Sequence, residues 1–258
     1  MQIITFFNHA GGASKTSSVR DLGYLASEAG LRVLLLDLDP QASLSRWLGA
    51  DNAPNEQTVM NAILDDNKAT PLPKPLEVFG MHLIPSGDGL RKLEGQLYTN
   101  STMTSRLKRL LRQVGGSYDL VLIDTPPSTG LLTQMALIAA QGVVVPVPVV
   151  SKGAEGIPTV QSLIEDCQEM NPSLEIKLFL LTQYNPQIRV DQEAYKTLKQ
   201  LEALAPVSTP ITFRKAPYGE AQAIKKPIPI SHKGEAADRD IRHVALEFFA
   251  VLGLVVRG

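Results

Sequence analysis

Five short apolar runs punctuate the chain: IITFF at 3–7, VLLLD at 33–37, LVLID at 120–124, VVVPVPV at 143–149 and LFLLTQY at 178–184. Each is continuous rather than alternating, the pattern of strands covered on both faces in a parallel sheet. Between the first two, KTSSVRDLGYLASEAG places Leu22, Leu25, Ala26 and Ala29 at helical spacing, with Gly30 set to cap the C-terminus. This predicts a strand–loop–helix–strand unit with a right-handed crossover. Helical spacing predicts further helices over roughly 101–113, 130–140, 156–170, 191–204 and 236–252. The Pro-rich ATPLPKPLE at 69–77 reads as a surface connection rather than a domain linker. No repeat or low-complexity tract interrupts the alternation. The expected fold class is α/β, a doubly wound, mainly parallel sheet with helices on both faces, built as one domain over residues 1–258.

Composition narrows the function classes. The 258 residues are 44% hydrophobic and 20% charged, ordinary for a globular protein with a sizeable core. A net charge of −1 offers no global field toward nucleic acid, so any such binding needs a local patch. One cysteine, Cys167, excludes an internal disulfide and a Cys-rich metal or iron–sulfur site within one chain, and suits a reducing cytosol. Residues 1–7 lack the basic start of a signal peptide. The apolar runs at 142–150 and 248–256 are too short to span a bilayer and lack a basic face, so no membrane association is expected.

Against this frame, FFNHAGGASKTSS at 6–18 stands where the first strand meets the first helix. It approximates G-x-x-x-x-G-K-[ST], with His9 and Ser14 in place of the two framing glycines. Gly11 and Gly12 expose backbone N–H groups, and the helix N-terminus favours a polyphosphate. Lys15 can reach β- and γ-phosphates, and the Thr16 hydroxyl can ligate Mg²⁺. An ordinary strand–helix turn with a chance Lys-Thr pair is the bland alternative. Two acidic strand ends weigh against it: LLLDLDPQAS at 34–43 carries Asp37 and Asp39, and YDLVLIDTPPS at 118–128 ends its strand in Asp124 before Pro126 and Pro127. A carboxylate at a strand end beside a phosphate loop is where a hydrated Mg²⁺ needs an anion.

Together these segments resemble the ParA/MinD family of P-loop ATPases with a deviant Walker A loop, and within it the ParA type. The family loop K-G-G-x-G-K-[ST]-[ST] maps onto Ala10-Gly11-Gly12-Ala13-Ser14-Lys15-Thr16-Ser17. LLLDLDPQAS matches its D-x-D-P-Q segment, and LIDTPPS its second switch strand. HLIPSGDGLRKLEGQL at 82–97 is similar to its strand and helix after the first switch. A late R-x(5)-E-A-x(5)-P-I pattern keeps Arg214, Glu220, Ala221, Pro227 and Ile228. The resemblance, running from about residue 2 to 250, implies cofactors ATP or ADP with Mg²⁺. It implies that Gly11 to Ser17 wrap the phosphates, Lys15 meets the β- and γ-groups, and Thr16, Asp37 and Asp124 serve the metal. Asp39 would support the attacking water. Phe213 would stack on adenine, or else be a buried strand-end residue.

The resemblance further implies ATP-dependent homodimerisation, binding to non-specific double-stranded DNA, and hydrolysis stimulated by a ParB-type centromere-binding protein, in the cytoplasm on the nucleoid. The family's signature lysine, which reaches the partner's phosphates, would stand at position 10, where this chain has Ala10; Ser14 replaces a loop glycine. Nucleotide binding is therefore expected with weak hydrolysis. His9 is read as neutral and structural. Residues 101–118 carry Arg106, Lys108, Arg109 and Arg112 without an acid, and residues 186–243 hold ten Lys/Arg against seven Asp/Glu. Arg189, Arg214, Lys215, Lys225, Lys226 and Arg242 are the candidate DNA contacts; singly, each also suits a solvated helix face. Two rival readings stay open: a relative that positions protein cargo or division machinery, and a degenerate nucleotide-binding scaffold.

Overall fold

The computed structural model describes residues 1–51, 53–65, 70–87, 89–97, 101–150 and 152–255. Among these, seven strands form one sheet: β1 (Gln2–Phe6), β2 (Val33–Asp37), β3 (Leu76–Val78), β4 (Met81–Ile84), β5 (Leu120–Asp124), β6 (Gly142–Pro148) and β7 (Glu175–Thr182). Their order is β3-β4-β2-β5-β1-β6-β7, parallel except for the β3–β4 hairpin at one edge. The helices are α1 (Lys15–Glu28), α2 (Ser43–Trp47), α3 (Val59–Leu64), α4 (Gly89–Leu97), α5 (Arg106–Gln113) and α6 (Leu131–Ala139), then α7 (Ile157–Gln168), α8 (Arg189–Leu198), α9 (Lys215–Ala223), α10 (Ile228–Ser231) and α11 (Ala236–Val251).

The continuous apolar runs have the cause expected of them. In β2, Val33 and Leu35 pack into the core layer that holds α1 and α11, while Leu34 and Leu36 pack into the opposite layer with α5, α6 and α7. β5 divides in the same way, with Leu120 and Leu122 on one face and Val121 and Ile123 on the other. Successive side chains of a strand point to opposite faces, so a sheet covered twice needs apolar residues at every position. α1 ends at Glu28; Ala29 caps it and Gly30 follows at φ 89, a left-handed turn that glycine adopts without strain.

Several boundaries move. The first strand lies at Gln2–Phe6 rather than 3–7, and β7 begins three residues earlier than its apolar run and ends at Thr182. The expected helix at 191–204 is α8 followed by a 3₁₀ turn, Lys199–Ala203, and that at 101–113 opens as a 3₁₀ turn, Ser101–Ser105. The Pro-rich stretch is not wholly a connection: Leu76 and Glu77 already belong to β3, paired with Leu83 and His82. Its residue 69, and residue 256 of the last apolar run, lie outside the described residues.

The sheet places the acids. Parallel register sets Phe6 opposite Asp124, and Asp124 opposite Asp37, so three adjacent strands end at one level. The chain leaves β1 there, directly into the glycine loop.

Candidate functional site

The loop is held from beneath by Asn8, whose Nδ2 donates to the Pro146 carbonyl at 2.7 Å and whose Oδ1 accepts from the Ala10 N–H at 3.0 Å. Gly12 and Ser14 both take left-handed backbone conformations, φ 74 and φ 67. Left-handed residues at alternate positions turn successive N–H groups toward one concavity, an anion-binding geometry. Ser14 is the N-cap of α1, whose opening N–H groups have no intrahelical partner. A Cβ at Gly11 or Gly12 would meet nothing within 4 Å, so the loop faces open space rather than packed protein.

Lys15 is buried, and its Nζ donates to the carbonyls of Asn8 at 2.9 Å and Ala10 at 3.3 Å. Burial lowers its pKa, opposed by the attraction of Asp124 and Asp39. The three acids differ. Asp37 is fully buried and accepts from the Ser45 N–H (2.9 Å), the Ser45 hydroxyl (2.7 Å) and the Asp39 N–H (3.1 Å); burial nevertheless pushes its pKa to about 7. Asp39 lines the cleft and accepts from the Gln41 N–H at 2.9 Å. Asp124 is fully buried, and neither carboxylate oxygen completes a hydrogen bond. Burial first, and Asp37 second, raise its pKa well above the carboxylate range, while the neighbouring Thr16 hydroxyl and Lys15 pull the other way.

Two buried carboxylate oxygens that complete no hydrogen bond of ordinary geometry, with the Thr16 hydroxyl as their one neighbouring donor, fit a hydrated divalent cation: Mg²⁺ takes one or two carboxylates and completes its shell with water and phosphate oxygens. Among the described residues no cluster of three or more His, Cys, Asp or Glu forms a cage for a metal, so the phosphates would have to supply part of the shell.

From the loop a cleft of about 540 Å³ extends past Thr182 and Gln183 to residues 211–215 and Tyr218. This is the size of an ordinary small-molecule site. Gly11 to Ser17, Asp39, Phe213, Arg214 and Lys215 all line it; Asp37 and Asp124, both fully buried, do not. Phe213 is 53% exposed, which removes the reading of it as a buried strand-end residue. Its N–H donates to the Tyr184 carbonyl at 2.7 Å, next to a bridge between Tyr184 and Thr212.

The candidate DNA residues separate into two groups. Arg214 lines the cleft and pairs with Asp240 at 3.1 Å, Lys225 pairs with Asp51, and Arg242 is tied to Asp238 at 2.7 Å and to Glu28. Arg189, Lys215 and Lys226 are exposed and have no ion-pair partner among the described residues. Of the basic residues in 101–118, Arg106 donates to the Ile63 carbonyl at 2.6 Å and Lys108 to Asn171 Oδ1 at 3.0 Å. His9 leaves its Nδ1 buried without a hydrogen bond, with its ring against the backbone at Gly156, where a Cβ would approach Cε1 to 2.4 Å.

Sequence reasoning missed Thr182, Gln183, Trp47 and Tyr218 in the cleft wall, and the buried pair Arg20–Asp21 at 2.8 Å behind it. None belongs to a phosphate-site pattern, and Arg20, lying 5.9 Å from the Trp47 ring centre, reads from spacing alone as a surface charge.

Comparison with known proteins bears on the whole chain. The family described as an AAA domain matches residues 1–176. The probable plasmid-partitioning protein ParA of Thermus thermophilus is 36% identical over 249 residues, covering 93% of this chain and 75% of that protein. The sporulation initiation inhibitor protein Soj of Bacillus subtilis is 34% identical over 200 residues, 77% of this chain and 79% of its own. Among solved structures, the cobyrinic acid a,c-diamide synthase of Mycobacterium smegmatis with bound ADP and magnesium superposes with a TM-score of 0.76 at 30% identity, covering 90% of this chain and 93% of that one.

Proposed function

The chain belongs to the ParA/MinD-type family of P-loop ATPases, and on that premise we propose that it is a partitioning ATPase of the ParA type. In this reading residues 1–258 act as one domain that binds ATP with Mg²⁺, pairs with a second copy, and holds non-specific double-stranded DNA on the nucleoid until a ParB-type partner stimulates hydrolysis. The observation that carries it is Asp124. A fully buried carboxylate whose one neighbouring donor, the Thr16 hydroxyl, completes no hydrogen bond of ordinary geometry is an unfavourable arrangement for a fold alone and a fitting one for a metal–nucleotide site.

The residues divide the work. N–H groups of Gly11 to Ser17 hold the phosphates, and Lys15 exchanges two carbonyl acceptors for phosphate oxygens. Thr16 and Asp124 hold the cation, with Asp37 behind them, and Asp39 orients the attacking water. Bound Mg²⁺ would neutralise charge on the β- and γ-oxygens. Phe213 offers its exposed ring to the base. Exposed Arg189, Lys215 and Lys226 meet the DNA backbone, where contacts position without reading sequence. Ala10 withholds a cation from the phosphates, so turnover is slow. Among the described residues no helix is long and apolar enough to cross a membrane; we assign the protein to the cytoplasm.

A second reading rests on Ser14: a non-glycine residue at φ 67 inside the loop also suits a scaffold that binds nucleotide with little hydrolysis. Titration calorimetry of ATP with and without Mg²⁺, on the parent and Lys15→Ala, tests the site; unchanged affinity in the variant would remove the phosphate-loop assignment. Phosphate release with DNA present separates ATPase from scaffold.

A further inference from the structure

We infer that Gln183 is a positioning residue for the phosphate loop, replacing with a side-chain clamp the conformational freedom that a glycine at position 14 would supply. The inference rests on the nucleotide reading above. Gln183 follows β7 directly and is itself left-handed, φ 59, one of five such non-glycine residues among those described. Its Nε2 donates to the Gly12 carbonyl and, at 3.1 Å, to Ser14 Oγ. The preceding residue adds a third contact, Thr182 Oγ1 to the Ala13 carbonyl at 3.4 Å.

The pattern has a chemical reason. A loop whose N–H groups face a polyphosphate must satisfy its carbonyls elsewhere. Thr182 and Gln183, from the cleft wall, supply donors to two consecutive carbonyls. Ser14, in contrast to glycine, resists the left-handed region because its Cβ crowds the backbone carbonyl. The bond from Gln183 favours the rotated conformer and so the orientation of the Lys15 N–H that follows. Gln183 also joins the two ends of the cleft: its neighbour Tyr184 donates to the Ile211 carbonyl at 3.0 Å and accepts from Phe213. No other described side chain bonds both Gly12 and Ser14.

A double-mutant cycle decides the matter, read by ADP affinity and by melting temperature. Gln183→Met keeps length and removes the donors; since Gln183 is partly exposed, the fold should survive. We expect Gln183→Met to weaken ADP binding about tenfold in the parent and less than about threefold in a Ser14→Gly background, where glycine needs no clamp. Equal losses in both backgrounds, accompanied by equal falls in melting temperature, would mean a merely structural contact and would overturn the inference.

Gln183→Glu gives an independent readout. An ionised carboxylate cannot donate to the Gly12 carbonyl, whereas a protonated one can. Its affinity relative to the parent should therefore recover as pH falls from about 6 to about 3.5, through the ordinary glutamate value of about 4.3; a flat ratio over that range would count against the clamp. No ADP binding by the parent would overturn the nucleotide reading as well. Parent binding that is indifferent to both substitutions would overturn only this one.

Discussion

Asp124→Asn should make the nucleotide-free protein more stable while abolishing its response to Mg²⁺-ATP. Asp124 buries two oxygens without hydrogen-bond partners and lies opposite Asp37, itself fully buried. Leaving such a group unsatisfied costs about 1–3 kcal/mol, more when it is charged. The amide keeps the shape, removes the repulsion from Asp37 and brings a donor to that side. Lys15 loses one attractive partner but keeps Asp39 and its two carbonyl acceptors, a smaller loss. A net gain of about 2 kcal/mol would raise the melting temperature by roughly 4–8 °C in a protein of this size.

The sign of the pH dependence follows from the raised pKa values. Asp37, at about 7, and Asp124, well above the ordinary carboxylate value, bind protons in the folded state that the unfolded chain releases near 4. Their contribution to stability is thus fully present below about pH 4 and is lost as pH rises through the folded-state values. The variant lacks the Asp124 part, so its advantage over the parent should grow from about pH 5 to about pH 8. Mg²⁺-ATP at about a hundred times its dissociation constant should add roughly 2.7 kcal/mol to the parent and little to the variant. Scanning calorimetry over this pH range, with and without Mg²⁺-ATP, measures both. A variant melting at or below the parent throughout, with a constant gap, would refute the reasoning: Lys15 would then fully compensate the buried charge.

Ser14→Gly should hold the unfolding free energy within about 1 kcal/mol, since relief of the left-handed backbone offsets the lost bond to Gln183, and should raise ADP affinity; a tenfold loss of affinity would contradict the strain argument. Ala10→Lys should raise steady-state phosphate release, by up to about a hundredfold, more than it raises affinity, because one added electrostatic donor acts chiefly where charge develops. Phe213→Ala should weaken adenine nucleotides about tenfold with inorganic triphosphate unaffected, as competition binding would show; equal weakening of both ligands would place the base elsewhere. Charge removal at Lys215 and Lys226 should weaken binding to all duplex sequences alike and flatten its salt dependence, whereas Arg242→Ala should chiefly lower the melting temperature by releasing α11 from Glu28; filter binding and thermal scans separate the two.

The sheet was legible because its strands are covered on both faces, which forces unbroken apolar runs such as VLLLD and LVLID. The position of the glycine loop and of the acids was legible because it is local: the glycines, a lysine and a hydroxyl follow one another between β1 and α1, and Asp37 and Asp124 each end a recognisable strand. What the residue pattern could not show was mutual register. That Asp37 accepts three hydrogen bonds while Asp124 completes none of ordinary geometry depends on α2 folding back over β2, and on two strands 87 positions apart in sequence ending at one level.

The basic residues show the same limit. Arg189 and Arg242 look alike along the chain; only packing of α11 on α1 brings Glu28 to Arg242, and only α8 leaves Arg189 exposed. Gln183 carried no signal because its role is a contact across 169 residues, with two hydrogen bonds reaching from the end of β7 to the loop after β1. Sequence by itself determined which residue types make up the glycine loop and the start of α1, since covalent neighbours supply them. Tertiary structure decided which acid is left free and which side chain braces the loop, because burial and hydrogen-bond partners are properties of elements brought together in space.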